Sequence, residues 1–130
     1  MPTWVDACAT DDIDSEDLIR FDHQGRTFAI YRSPEDAFYC TDGMCTHENV
    51  HLCDGLVMDH TVECPKHNGQ FDYRTGQARR APVCVNLKTY PVRVEAGRVG
   101  LNAAELLPLR RRQAGPERLP KPFADSREIG

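Results

Sequence analysis

The sequence predicts an all-β domain, and three observations carry the prediction. Apolar and β-branched residues come in short runs, turn-forming residues separate those runs at close intervals, and helical periodicity is weak. The 130 residues are enough for one compact domain and too few for two. With 40% hydrophobic and 28% charged residues, the chain can bury a core and is not a disordered polymer.

The elements follow in order. Leu18 to Phe21 is apolar-rich, Asp22-His23-Gln24-Gly25 reads as a turn, and Arg26 to Tyr31 carries β-branched and aromatic residues, so the three together predict a hairpin. Ser33-Pro34-Glu35-Asp36 breaks the pattern, a strand resumes at Ala37 to Thr41, and Asp42-Gly43 turns again. From Met44 to Phe71 the texture changes: His, Cys, Pro, Asn and Gly crowd in, and only Leu56 to Met58 and Thr61 to Glu63 read as strands. Loops of that density usually carry function. Arg74-Thr75-Gly76-Gln77 is a turn. Val83, Val85, Leu87 and Thr89 then alternate, as a half-buried strand does. Pro91 marks a bulge or edge. Val92 and Val94, the Glu95-Ala96-Gly97 turn and Arg98 to Leu101 form a last hairpin. Single helical turns are expected at Asp14–Asp17 and at 103–107. Residues 1–107 are expected to form the domain, and 108–130 a basic, Pro- and Arg-rich tail.

Charge excludes some classes of function. The net charge of -4 argues against general nucleic-acid binding. No apolar run approaches the roughly 18–20 residues of a membrane span. The start, Met1 to Asp6, has neither a basic region nor an apolar stretch, so a cytoplasmic protein is expected. The tail carries +3 and the remainder -7, which suits steering toward a basic partner. Six cysteines in such a chain should be thiols or metal ligands, not a disulfide framework.

Two clusters carry the chemistry. Cys45-Thr46-His47 and Cys64-Pro65-Lys66-His67 each pair one thiolate with one imidazole, and sixteen residues separate His47 from Cys64. Two sulfurs and two nitrogens suit either a tetrahedral zinc or an iron–sulfur centre. A zinc finger pairs Cys with Cys and His with His at wider spacing. Mixed pairs match a [2Fe–2S] centre in which two Cys hold one iron and two His the other. His47-Glu48-Asn49-Val50-His51 also matches the metalloprotease pattern, but that motif needs a helix and these residues are poor helix formers. His51 is then an ordinary loop histidine, His23 and His60 are expected to be solvent-exposed, and Cys8, Cys40, Cys53 and Cys84 are expected to be packing thiols.

Cys45-Thr46-His47 with Cys64-Pro65-Lys66-His67-Asn68-Gly69-Gln70-Phe71 resembles the Rieske signature. Across residues 3 to 102 the chain is similar to the soluble, low-potential Rieske ferredoxins of multicomponent oxygenase systems, with a likeness to the subgroup of rhizopine catabolism. The resemblance implies an antiparallel β base and a smaller cluster-binding part at about 43–72. It implies one [2Fe–2S] cluster per chain, held by Cys45, His47, Cys64 and His67, and a proline-containing third loop at Arg80-Ala81-Pro82-Val83. Imidazole ligands make the oxidised centre about neutral where four thiolates would give about -2, so the potential exceeds that of plant-type ferredoxins. Reduction makes those imidazoles more basic, so the potential should fall as pH rises past their pKa values.

Respiratory Rieske proteins carry a disulfide between the loops and a serine near the second. Val50, Lys66 and Gly69 stand at the matching positions here, which implies the low end of the Rieske range, about -150 mV. The implied role is one-electron carriage from an NAD(P)H-dependent flavoprotein reductase to a terminal Rieske non-haem iron oxygenase, in catabolism of aromatic or related compounds. His23, His51 and His60 are too few to leave room for a catalytic domain with its own mononuclear iron. The alternatives are a structural zinc module and a Rieske subunit of a nitrite reductase-like complex.

Overall fold

The computed structural model describes residues 3–47, 49–66, 68–83 and 85–106. Eleven strands among them form three antiparallel sheets. The first contains β1 (Trp4–Ala9), β10 (Val92–Glu95) and β11 (Arg98–Asn102), in the order β1-β11-β10. The second contains β2 (Asp17–His23), β3 (Arg26–Arg32), β4 (Phe38–Asp42) and β9 (Thr89–Tyr90), in sequence order. The third contains β5 (Leu56–Met58), β6 (Thr61–Glu63), β7 (Gln70–Asp72) and β8 (Ala78–Arg80). Short 3-10 turns sit at Thr10–Asp12, Leu52–Asp54 and Ala103–Leu106.

Strand β3 is the keel. Successive strand side chains point to opposite faces, and here both faces are buried. Phe28 and Ile30 enter one apolar cluster with Cys8, Ile13, Cys40, Tyr90, Val99, Leu101 and Leu106. Ala29 and Tyr31 enter the other, with Leu52, Val57, Val62, Phe71 and Tyr73. The first cluster joins the two base sheets. The second seats the third sheet on the base. Tyr31 and Tyr73 stack across that seat at 4.5 Å and 5°, and the Tyr73 hydroxyl donates to the Asp59 carbonyl at 2.6 Å. The β2–β3 register places His23 opposite Arg26, which leaves a two-residue turn at Gln24-Gly25. Both residues are left-handed (φ 50° and 81°), the conformation that matches strand twist and favours Gly.

The strands expected at 18–21, 26–31, 37–41, 56–58, 61–63, 92–94 and 98–101 all form, within a residue or two of their expected limits. The turn at 103 forms as a 3-10 turn, whereas the one expected at Asp14–Asp17 is displaced to Thr10–Asp12. The alternating run from Val83 to Thr89 is a correction. Val83 and Leu87 are buried as that pattern requires, yet only Thr89–Tyr90 enters a ladder. The Leu87 N–H bonds to the Gly76 carbonyl, and the Asn86 side chain accepts from the Ala78 N–H, so this stretch crosses over other loops and does not pair with a strand. Strands β1, β7 and β8 add to those expected. The tail at 108–130 lies outside the described residues.

Candidate metal centre

Both signature loops close on themselves through the cysteine that begins them. The Cys45 N–H donates to the Val50 carbonyl at 3.0 Å, and the Cys64 N–H donates to the Gly69 carbonyl at 2.7 Å. The first loop leaves β4 and is clamped at its base by a Met44–His51 bridge and by the Leu52 N–H donating to the Gly43 carbonyl. The second connects β6 to β7, whose pairing sets Glu63 opposite Gln70. Each loop is thus an excursion from a hairpin-like frame, and the frame stands on the Leu52, Val62 and Phe71 core.

A third segment reaches both loops, through Val83 on one side and Val85 on the other. Residue 69 approaches it so closely that a Cβ there would stand 2.6 Å from Val83 Cγ1, so only Gly fits against the buried Val83. On the other side the Thr46 hydroxyl donates to the Val85 carbonyl at 2.6 Å. The proline of this segment, Pro82, follows a cis peptide bond. The expected position of a third loop at Arg80 to Val83 agrees with this contact.

Burial divides the donors by chemistry. Cys45 and Cys64 are 6% and 1% exposed, while His47 stands exposed one residue beyond Thr46. His67 lies outside the described residues, as do Glu48 and Cys84. Two shielded thiols with an imidazole at the surface fit a mixed-ligand iron–sulfur centre, to which Cys45 and Cys64 would offer soft sulfur donors and His47 a nitrogen donor. The residues from 46 to 50 form bends and not a helix, so His47 and His51 do not share a helical face as the protease pattern requires.

Among the described residues, Cys8, Cys40, Cys53, His23 and His60 have structural surroundings of their own. Cys8 and Cys40 are buried, and burial pushes both thiols up, which keeps them protonated and unreactive. Cys53 packs partly buried against the second core. His23 departs from its expected exposure: it is half-buried and stacks on Phe21 at 6.0 Å. His60 corrects its expected exposure. Its Nε2 lies 2.6 Å from Glu35 Oε1 and its Nδ1 3.4 Å from Asp59 Oδ1, so it bridges the β5–β6 turn to the β3–β4 turn. The hydrogen bond to His60 pulls the Glu35 carboxyl below its usual range, outweighing the small desolvation that pushes it up. Isolated sequence neighbours gave no sign of this pairing, because Glu35 and His60 meet only when the third sheet seats on the base.

Comparison with known proteins agrees with the geometry. The family model for the Rieske [2Fe-2S] domain matches residues 3–91. The ferredoxin component of the naphthalene 1,2-dioxygenase system of Pseudomonas aeruginosa is 42% identical over 96 residues, covering 74% of this chain and 91% of that protein. Among solved structures, the Sphingomonas yanoikuyae B1 ferredoxin superposes with a TM-score of 0.73 at 31% identity, covering 77% of this chain and 98% of its own. A chain from the complex of reduced oxygenase and oxidized ferredoxin in carbazole 1,9a-dioxygenase also gives 0.73, at 33% identity, covering 76% of this chain and 92% of that one. Among the described residues no helix is long and apolar enough to cross a membrane. The chain belongs to the Rieske [2Fe–2S] family and is a ferredoxin of the kind that serves oxygenase systems, an electron carrier and not the oxygenase itself.

Proposed function

We propose that Cys45 and Cys64 hold one iron of the [2Fe–2S] centre and that His47 and His67 hold the other. The observation that carries this reading is the contrast between two buried cysteines heading self-closed loops and the exposed His47. The centre supplies one-electron redox chemistry when bound. The chain's own residues do the rest. Val83 and the Thr46 bond to Val85 hold the third segment over the loops and keep water from the cysteine side. His47 offers a short route for the electron at the surface.

The electron donor in this reading is an NAD(P)H-dependent flavoprotein reductase. The acceptor is a terminal Rieske oxygenase acting on aromatic or related compounds. The naphthalene 1,2-dioxygenase and carbazole 1,9a-dioxygenase relatives support that assignment. The working domain is residues 1–107, with the cluster-binding part at about 43–72, and the location is the cytoplasm.

The test is the visible spectrum of protein purified with iron available, followed by EPR after dithionite. A red-brown protein with the low average g of mixed His and Cys ligation is expected. A colourless chain with one bound zinc overturns the reading.

A further inference from the structure

Where the third sheet meets the base, three side chains converge that electron carriage does not use. Glu35 comes from the β3–β4 turn of the base. Asp59 and His60 form the β5–β6 turn of the third sheet. His60 Nε2 lies 2.6 Å from Glu35 Oε1, and His60 Nδ1 lies 3.4 Å from Asp59 Oδ1. With one ligand atom taken from each residue, the three atoms lie within 4.8 Å of one another. Ligands that each stand about 2.1 Å from a metal are roughly 3–4 Å apart. The Glu35 and Asp59 side chains are 63% and 77% exposed, so a small rotation of either carboxylate closes the gap, and an ion can enter from solvent.

The backbone that carries these donors is fixed by bonds that spare the donor atoms. Buried Ser33 accepts through Oγ from the Glu35 and Ala37 N–H groups, at 3.3 and 3.1 Å. The Asp59 N–H donates to Glu16 Oε2 at 2.6 Å, and the Asp59 carbonyl accepts from the Tyr73 hydroxyl at 2.6 Å. The His60 carbonyl accepts from the Tyr73 N–H at 3.2 Å. All three donors are thus held in place from outside, as a preorganised metal site requires. Charge points the same way. Glu16, Glu35 and Asp59 bring three carboxylates around one imidazole. None of the three is ion-paired to an arginine or lysine among the described residues, whereas Asp22, Asp36, Asp42 and Asp72 each have an arginine. The bond from His60 also holds the Glu35 carboxyl below its ordinary range, so it is anionic at neutral pH.

We propose that Glu35, Asp59 and His60 form a second metal site, separate from the iron–sulfur centre, that takes a first-row divalent ion, zinc above all. One imidazole nitrogen and two carboxylate oxygens suit zinc, with water completing the shell. The nitrogen donor selects against calcium and magnesium, which take oxygen ligands, and zinc stands near the top of the affinity order for such mixed sites. The ion takes over one of the ring-nitrogen contacts that now join His60 to the carboxylates. Its effect is mechanical. It ties the β3–β4 turn to the β5–β6 turn and so fastens the third sheet, which leads through β6 to Cys64, onto the base. The four residues from His60 to Cys64 span on the order of 13 Å as extended chain, so the two sites do not share ligands. The inference does not depend on the carrier reading.

The experiment is a calorimetric titration of the full-length protein, with its cluster oxidised, by zinc chloride at neutral pH. The visible absorption of the cluster is followed throughout. One zinc should bind per chain with that absorption unchanged. The half-life of the absorption on heating should lengthen, because an ion that binds only the folded chain stabilises it. His60→Gln should weaken zinc at least about tenfold, since even residues outside a metal's ligand shell are worth that much. Glu35→Gln, which alters only an exposed side chain, should act in the same direction. Asp14→Asn removes an exposed carboxylate outside the group and should change the affinity by less than about twofold. Calcium should not compete, since it takes about six to eight oxygen ligands. An intact holoprotein that takes up no zinc overturns the inference. So does zinc binding that calcium displaces, or that survives both His60→Gln and Glu35→Gln. Zinc uptake that bleaches the cluster, in parent and variants alike, places the ion at the cluster ligands and overturns it too. Each of these results leaves the carrier reading standing.

Discussion

Gly69→Ala tests the argument that the third segment is held by close packing on the second loop. The new methyl would lie 2.6 Å from Val83 Cγ1, 3.2 Å from Cγ2 and 3.3 Å from Cβ. Normal carbon–carbon contact begins near 3.5 Å, so about 1 Å of overlap must be relieved. Val83 is 5% exposed and β-branched, so rotating its side chain meets a stiff torsion and a filled core. Overpacking of this kind costs about 1–3 kcal/mol. The carbonyl of residue 69 also closes the loop onto the Cys64 N–H, so relief by moving the loop backbone loosens the cysteine.

The assay is a double-mutant cycle on the holoprotein, read as loss of the visible cluster absorption on heating and as its half-life at fixed temperature. Cluster loss is irreversible, so the half-life is the sounder quantity. Val83→Ala alone should shorten it, since a buried side chain is lost at about 1–2 kcal/mol. Combined with Gly69→Ala, the two changes should cost clearly less than their sum, because the smaller side chain vacates the space the methyl needs. Additive effects, or a Gly69→Ala protein as durable as the parent, would refute the packing argument.

Three further outcomes follow from the same geometry. Tyr73→Phe removes the hydroxyl bond to the Asp59 carbonyl but keeps the stack on Tyr31, so denaturant unfolding should show a loss of only about 1 kcal/mol. Asp72 is desolvated, which pushes its carboxyl up, but the Arg74 side-chain bonds, the Arg74 N–H and the nearby guanidinium charges outweigh this and hold it below its ordinary range. A depressed carboxyl lends stability above its unfolded pKa and loses it as pH falls through the folded value. The parent should therefore weaken below the usual carboxylate range, and Asp72→Asn should be about 1–2 kcal/mol less stable at neutral pH with a flatter acid limb in a melt-versus-pH series. His67→Cys should lower the reduction potential in a dye titration, by on the order of 100 mV toward the plant-type range, and an unchanged potential would remove His67 from the ligand set.

The two loops were legible in the sequence because their chemistry is local. Cys45 and His47, and Cys64 and His67, are near neighbours in the chain, so the motifs that carry the resemblance are visible without the fold. The third segment was not legible in the same way. Its contacts, Gly69 with Val83 and Thr46 with Val85, join residues far apart in the chain, and its alternating Val83, Val85 and Leu87 imitate a strand. The imitation fails because alternation records which side chains are buried and says nothing of where the backbone N–H groups bond. Strands β7 and β8 escaped notice for the opposite reason. They are three residues each and carry Gln70, Asp72, Arg79 and Arg80, so no apolar run marks them. Asp72 is buried even so, because Arg74 and Arg79 compensate it from residues whose approach depends on the fold.

The arrangement also explains how a small all-β chain can change charge without changing shape. An electron carrier works fastest when little structure must move with the electron. Here the mobile candidates are the two loops, and each is tied by bonds that leave the proposed donor side chains free of that task. Their closing bonds run from cysteine N–H to loop carbonyl, and Val83 and Thr46 add a link to a third segment. That segment is tied in turn to the Gly76 turn through Leu87, and the turn leads back through Asp72 to the Phe71 and Tyr73 core. The path from loop to keel strand therefore runs through packed side chains and backbone bonds, with Tyr31 at its end. A substitution that cuts this path, such as Gly69→Ala, should slow electron transfer even where the cluster survives and its potential holds. A Gly69→Ala protein that transfers its electron as fast as the parent at an unchanged potential would refute this last step.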